Sequence, residues 1–235
     1  MKLGEISCAK PKKFFNLHEI LEDSELVLID TSAIQGCCVK SRDLLLNPIP
    51  KSQRQPLISE NYKLMLGKLE FLLDFIYNHY NFHTTPYVIK EITNSKKVKK
   101  NKNGKTNRAR RLNKIVERER ELARVLMERG LLSFGSSIDS QIGHYERVSV
   151  FDDEKELYNK LIQENAGLFK KYNLSYVDSD LLVSGVVLVQ KRSGPISLVS
   201  CDCHILNALQ NLKNGSPFDL PFFFRSDKNL FRKLN

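Results

Sequence analysis

Apolar residues alternate along the chain between short continuous runs and stripes with helical spacing. Residues 25–30 and 196–200 are short runs that end in polar residues, a pattern typical of buried strands. Residues 60–80 and 108–128 place apolar side chains mostly three or four positions apart, which predicts helices with one buried face. Because strands and helices alternate, we expect an α/β fold with a central parallel sheet.

A helix start is readable just after a third predicted strand, at residues 82–84. Thr85 has a residue type that can cap a helix, and Pro86 suits the first helical position because it lacks an N–H group. This predicts a helix that carries Glu91 in its second turn. We predict the other elements to be helices over 154–171, 179–191 and 204–212 and a last strand or docked segment over 220–224.

The chain of 235 residues is long enough for one hydrophobic core with an elaborate insertion. We expect residues 1–24 to form an N-terminal extension and residues 25–235 to form the domain. Pro48, Pro50 and Pro56 predict a loop over 41–58. Residues 95–150 are predicted to be an inserted basic loop and helix, and 131–150 show no clear pattern.

Positive charge is concentrated in one segment. The whole chain has a net charge of +10. Between Lys96 and Arg120 twelve basic and two acidic residues give the same excess of ten. This pattern favours a polyanion, with RNA-backbone contact preferred over a merely solvated face or a localisation signal. The predicted RNA-binding residues are Lys96, Lys97, Lys99, Lys100, Lys102, Lys105, Arg108, Arg110, Arg111 and Lys114.

The five cysteines are an odd number with two nearly adjacent pairs, which is a poor disulfide framework and favours a reducing cytosol. A zinc or redox site from Cys37, Cys38, Cys201 and Cys203 is disfavoured, because C-x-C-H is not a common zinc spacing. No apolar run is long enough for a membrane span and no secretion signal is visible. We therefore expect a cytoplasmic protein (nuclear or nucleolar in a eukaryote) without a membrane partner.

Acidic residues lie beside several of the apolar runs. They are Asp30, Glu91, Asp178, Asp180 and Asp202. Acids at the ends of parallel strands gather at one edge of a sheet, where carboxylates repel one another and are costly to desolvate. Divalent cations relieve that repulsion through oxygen ligands. The alternative is that each acid only caps a helix or turn, as we expect for Asp152, Asp153 and Glu154.

Four blocks together resemble the PIN-domain family of metal-dependent ribonucleases. They are Val-Leu-Ile-Asp-Thr-Ser at 27–32, Thr-Pro-Tyr-Val-Ile-Lys-Glu at 85–91, the segment 174–185 with its two aspartates, and Leu-Val-Ser-Cys-Asp at 198–202. The resemblance implies a PIN-like three-layer fold around a parallel sheet with a basic helical insertion. The third block departs from the family, since either Asp178 or Asp180 can match its single aspartate and residues 183–185 are not alanines.

The resemblance also implies a site and an activity. One or two Mg²⁺ or Mn²⁺ ions would be bound by Asp30, Glu91, Asp178 or Asp180, and Asp202. Thr31, Ser32 and Ser200 would orient a carboxylate or a water beside the ion. The implied function is an endoribonuclease that processes or degrades structured RNA, such as a tRNA or rRNA precursor.

Two alternatives to the nuclease stay open. One is a non-catalytic RNA-binding or ribosome-assembly protein with the same fold, and the other is a toxin with an antitoxin partner. The resemblance also allows a homodimer through the Leu/Phe-rich segments near 14–21 and 218–224, which could equally well cover the core. Tyr87, His144 and Tyr145 are aromatic residues that can stack on bases, although such residues more often pack in the protein.

Overall fold

A computed structural model describes residues 24–36, 54–94, 107–134, 148–192, 195–200, 202–215 and 222–225. The predicted basic loop, most of the N-terminal extension, and Cys8, Cys37, Cys38 and Cys201 lie outside these residues. His144 and Tyr145 also lie outside them. None of the helices in these ranges is long and apolar enough to cross a membrane.

Four strands form one parallel sheet. They are β1 (Leu26–Ile29), β2 (Phe82–His83), β3 (Ile196–Val199) and β4 (Phe222–Arg225), in the spatial order β2-β1-β3-β4. The two central strands run in register, with Leu26 opposite Ile196 and Ile29 opposite Val199. The α/β fold with a central parallel sheet is therefore confirmed. Because β1 and β3 end side by side, the residues that follow them meet at one edge.

Helices connect the strands. They are α1 (Thr31–Gly36), α2 (Arg54–Asn78), α3 (Pro86–Thr93), α4 (Asn107–Glu128), α5 (Asp152–Glu164), α6 (Ala166–Lys171), α7 (Tyr176–Arg192) and α8 (Cys203–Gly215). Helix α4 packs against α2 and α3, whereas α7 packs against α5, α8 and strand β3. Two groups of helices thus hold the sheet and its edge in place.

Helix α7 is the most buried helix of the described chain. Every residue from Ser179 to Val189 is buried, because apolar side chains occupy all sides of this stretch. Its two ends reach the surface, the first turn with Tyr176 and Asp178 and the last residues with Lys191. The sequence therefore anchors the helix in the core and presents its N-terminal end beside the sheet edge.

Several predicted boundaries need correction. Helix α2 starts at Arg54, so residues 54–58 are helical although Pro56 predicted a loop; proline is tolerated in a first turn, where its missing N–H costs nothing. The helix predicted over 154–171 starts at Asp152 and is divided into α5 and α6 at Asn165, whose ψ of 9° leaves the helical range. The predicted start at Thr85 is confirmed by its extended backbone, although its hydroxyl makes no capping hydrogen bond.

Candidate carboxylate site at the edge of the sheet

Asp30 is the residue at which β1 passes into α1. Its side chain is 1% exposed, and its N–H donates to the carbonyl of Val199 at 3.0 Å, which continues the pairing of β1 with β3. The carboxylate atom Oδ2 accepts hydrogen bonds from the Ser32 N–H at 3.2 Å, from the Ser32 hydroxyl, and from the Ser200 hydroxyl at 2.8 Å. A buried charge is thus surrounded by donors from both central strand ends.

The ionisation of Asp30 reflects opposing effects. Burial raises its pKa from 3.8 to about 6, the hydrogen bonds from Ser32 and Ser200 lower it, and the charge of Asp178 raises it again. Asp178 is thus a second acid of the four blocks, and its charge acts on the Asp30 carboxyl, although its influence is smaller than that of burial and of the hydrogen bonds from the serine hydroxyls. A cation between them would relieve this repulsion.

Asp178 caps the helix that carries it. Its Oδ2 accepts the Ser175 N–H at 3.0 Å, and the Asp178 N–H donates to the Ser175 hydroxyl at 3.1 Å, a reciprocal arrangement at the start of α7. Capping therefore accounts for one oxygen of this acid. Within the described residues its Oδ1 accepts no hydrogen bond.

Asp202 is linked to Asp30 through Ser200. The Ser200 hydroxyl donates to Asp30 and accepts the Asp202 N–H at 3.0 Å, while Asp202 Oδ1 accepts the His204 N–H at 2.8 Å at the start of α8. The serine of the fourth sequence block therefore fixes the geometry between the ends of β1 and β3. Like Asp178, Asp202 uses one carboxylate oxygen in a cap.

Asp180 lies in a different environment from Asp178. It is 3% exposed, and its Oδ1 accepts the Tyr158 hydroxyl at 2.6 Å. Its Oδ2 has no hydrogen-bond partner among the described residues, although the Thr85 hydroxyl is close enough to lower its pKa. Burial nevertheless raises the pKa of Asp180 to about 6. Of the two acids that match the third block, Asp178 is the one whose charge acts on Asp30.

Glu91 lies in a cleft beside the carboxylates. It is exposed on the second turn of α3 and, together with Thr31, Lys90 and Tyr176, lines an open cleft of about 630 Å³. Thr31 is the neighbour of Asp30 in the chain and so connects the cleft to the sheet edge. A ligand in this cleft would contact the Glu91 carboxylate and chain neighbours of Asp30 and Asp178, although these two aspartates do not themselves line the cleft.

The acids do not form a complete metal-binding cage. Among the described residues, no group of three or more histidine, cysteine, aspartate or glutamate side chains is arranged to hold a metal ion. The oxygen donors fit Mg²⁺ or Mn²⁺, since each of Asp30, Asp178 and Asp202 keeps an oxygen that accepts no hydrogen bond in this part of the chain. Such ions often keep waters and substrate oxygens as ligands beside one or two carboxylates.

Three predicted RNA-binding residues are described in full. Arg110 and Lys114 are exposed on α4, and the Arg111 guanidinium lies 5.4 Å from the centre of the Tyr62 ring. The residues Lys96, Lys97, Lys99, Lys100, Lys102 and Lys105 and the side chain of Arg108 lie outside the described residues.

The predicted capping role of the acids at 152–154 is correct for Glu154. Its Oε2 accepts the Phe151 N–H at 3.0 Å, at the start of α5. The buried Glu154 also pairs with Arg192 at 2.6 Å, and Asp153 pairs with Lys191 at 2.8 Å. The ion pairs of Asp153 and Glu154 therefore connect α5 to the end of α7. They lie apart from the hydrogen bonds that surround Asp30.

Two tyrosines were missed by sequence reasoning. Tyr158 lies on α5 and reaches Asp180 across the helix interface, a contact between residues far apart in the chain that leaves no local pattern. Tyr176 is exposed beside the cleft. In the sequence, Tyr176 could have been recognised as an aromatic residue that lies two positions before the candidate ligand Asp178.

No protein-family model matches the chain, and neither a curated protein nor a solved structure is similar to it.

Proposed function

We propose that the chain is a metal-dependent endoribonuclease with a PIN-like fold and that Asp30 is the centre of its active site. The observation that carries this proposal is the position of Asp30 at the end of a central parallel strand, joined to Asp202 through Ser200 and repelled by Asp178. Carboxylates held in this way at a sheet edge are costly for stability and useful for cation binding. The four blocks of resemblance support the same assignment.

Asp30, Asp178 and Asp202 would hold Mg²⁺ or Mn²⁺ through their remaining oxygens, and Glu91, which lines the adjoining cleft, would supply a further carboxylate. When bound, the ion lowers the pKa of a water and stabilises charge on a phosphate. Ser32 and Ser200 hold the Asp30 carboxylate in one orientation. In-line attack of the water on phosphorus would break the bond to the 3′ oxygen and leave a 5′ phosphate and a 3′ hydroxyl.

RNA as the substrate is supported by charge. The net charge of +10 favours a polyanion, and the basic excess lies in the segment that leads into α4. Arg110 and Lys114 at the start of this helix are exposed to solvent. Helix α4 packs against α3, which carries Glu91, so Arg110 and Lys114 lie on a helix that adjoins an element of the cleft.

A non-catalytic RNA-binding protein is the second candidate. It is favoured by the capping hydrogen bonds of Asp178 and Asp202 and by the lack of a three-acid cluster in the described part of the chain. In that case the acids would serve the fold alone, and RNA binding would not depend on a divalent ion.

The test is cleavage of labelled small RNA by the full chain with Mn²⁺ or with EDTA. Wild type is compared with Asp30→Asn and with Asp74→Asn, which makes the same change at an exposed position in a different cleft. The nuclease predicts metal-dependent cleavage that Asp30→Asn abolishes and Asp74→Asn retains. Equal behaviour of wild type and Asp30→Asn, with RNA binding intact, would establish the binding protein instead.

A further inference from the structure

Two tyrosines meet at the wall of the cleft. Tyr87 of α3 and Tyr176 of α7 lie with their ring centres 4.6 Å apart and their planes at 77°, and the Tyr87 hydroxyl donates to the Tyr176 hydroxyl at 3.1 Å. The edge-to-face arrangement is favourable for two aromatic rings. Because the planes are nearly perpendicular, the two rings do not cover each other face to face.

Tyr176 is an aromatic residue in contact with solvent at the wall of the cleft. It is 53% exposed, whereas Asp180, one helical turn later, is 3% exposed. Other aromatic residues are at least as exposed, such as Tyr77 at 61%, so exposure alone does not single out Tyr176. What distinguishes Tyr176 is that it lines the same cleft as Thr31, the neighbour of Asp30.

The ring of Tyr176 is held in position by hydroxyl contacts. Besides accepting a hydrogen bond from Tyr87, Tyr176 lies close enough to Tyr158 to raise the pKa of that phenol. Tyr158 in turn donates to the buried Asp180. A ring fixed in this way loses little conformational entropy when a ligand stacks on it.

We propose that Tyr176 is a stacking platform for an unpaired RNA base whose neighbouring phosphate lies at the carboxylate site. This inference rests on the proposed function and deepens it, because it names single-stranded RNA as the substrate class. Tyr176 stands two residues before Asp178 and lines the same cleft as Thr31, Lys90 and Glu91. The cleft thus combines a base-sized aromatic surface, a lysine that attracts phosphate and the carboxylate of Glu91, and its residue Thr31 adjoins Asp30 in the chain.

The occupant follows from this combination of groups. Every base has an aromatic face that stacks on tyrosine, so the contact tolerates any sequence but requires an unstacked base. In a duplex the base faces are stacked on one another, so none of them is available to stack on the ring of Tyr176. Tyr176 therefore selects single-stranded segments, loops or ends over paired RNA.

The test measures binding of a short labelled single-stranded RNA to the full chain in EDTA, so that cleavage cannot interfere. Four proteins are compared: wild type, Tyr176→Leu, Tyr176→Phe, and Tyr77→Leu as the matched control. Tyr77 is 61% exposed and lines a different cleft, between α2 and α4. We expect Tyr176→Leu to weaken binding about tenfold or more, while Tyr176→Phe, which keeps the ring, and Tyr77→Leu stay near wild type.

A second measurement uses wild type and does not depend on a variant that folds. Removing one base at a time from the RNA should reveal a position at which the loss of the base weakens binding to wild type by a similar factor. Removing the same base should not weaken binding to Tyr176→Leu any further. If no such position exists, or if Tyr176→Leu binds like wild type, the platform is wrong.

The two proposals fail in different ways. If removing one base weakens binding to wild type but not to Tyr176→Leu, and no RNA is cleaved in Mn²⁺, the platform is supported and the nuclease is refuted. Metal-dependent cleavage that Asp30→Asn abolishes but Tyr176→Leu leaves unchanged, together with unaltered RNA binding, would refute the platform alone.

Discussion

Asp30 and Asp180 are two buried aspartates whose pKa values burial raises to the same level, about 6. Their surroundings differ in every other respect. Asp30 stands at the sheet edge, accepts hydrogen bonds from Ser32 and Ser200, and is repelled by Asp178. Asp180 stands in a helix interface, bonded to the Tyr158 hydroxyl.

The comparison shows that a raised pKa does not by itself identify a functional acid. Desolvation is the largest cause for both residues, yet the charge of a second carboxylate acts on Asp30 alone of the two. A cation that neutralises paired carboxylates is therefore useful at Asp30. At Asp180 the tyrosine contact already accounts for the position of the side chain.

The largest expected effect comes from Asp30→Asn. The amide keeps the shape of the side chain but removes the charge that would hold the ion, so cleavage should fall about 1000-fold or more. The rate of cleavage of labelled RNA in Mn²⁺ measures the loss, and unfolding by urea checks the fold. An active, metal-dependent variant would show that Asp30 has no catalytic role.

A second change separates the two acids of helix α7. Asp178→Asn should reduce cleavage about 100-fold, and considerably more than Asp180→Asn does, because only the charge of Asp178 acts on Asp30. Both substitutions are measured at saturating Mn²⁺ with the same RNA. If Asp180→Asn is the more damaging variant, the assignment within the third block must be reversed.

The stability of the chain should depend on pH through Asp180. Between 3.8 and about 6 the folded state holds more protons than the unfolded state, so stability falls as the pH rises through this window. At roughly 1.4 kcal/mol for each pKa unit, ionising Asp180 costs about 3 kcal/mol above that range. Asp180→Asn should match wild type near pH 4 and exceed its stability at pH 8.

Urea unfolding at several pH values measures this difference. The variant amide can still accept from Tyr158, and its NH₂ group can donate to the Thr85 hydroxyl, which has no partner among the described residues. Asp74→Asn is the matched control, since it makes the same change at an exposed position. A stability difference that is the same at every pH would contradict the assigned cause.

The smallest expected effect is that of Ser200→Ala. Loss of the hydroxyl removes one hydrogen bond to Asp30 and the acceptor for the Asp202 N–H, so both strand ends should loosen. We expect affinity for Mn²⁺ to fall about tenfold, as for other residues that orient metal ligands. An unchanged affinity would limit Ser200 to a structural role.

Sequence reasoning worked where the determinants are local. The apolar runs located β1 and β3, and the Thr85-Pro86 pair located the start of α3. It failed at Pro56, because a first turn tolerates proline, and at Asn165, because an asparagine with helical neighbours gives no distinctive break signal.

The candidate site was predictable only in part for the same reason. The sequence predicts that Asp30 and Asp202 follow parallel strands and lie at one edge of the sheet, and the structure adds that these strands, β1 and β3, are paired neighbours. Asp178 and Asp180 are two positions apart, about 200° around their helix, so they lie on nearly opposite sides of it. Only one of them can therefore face the end of β1. Which one does so depends on contacts such as that of Tyr158, and these are set by tertiary packing.

The most direct test of the central claim is Mn²⁺ binding to wild type, Asp30→Asn and Asp180→Asn, followed by the electron paramagnetic resonance signal of the free ion at neutral pH. We predict that wild type and Asp180→Asn remove Mn²⁺ from solution and that Asp30→Asn does not. If Asp30→Asn binds Mn²⁺ as wild type does, or if only Asp180→Asn loses binding, Asp30 is not the centre of a metal site.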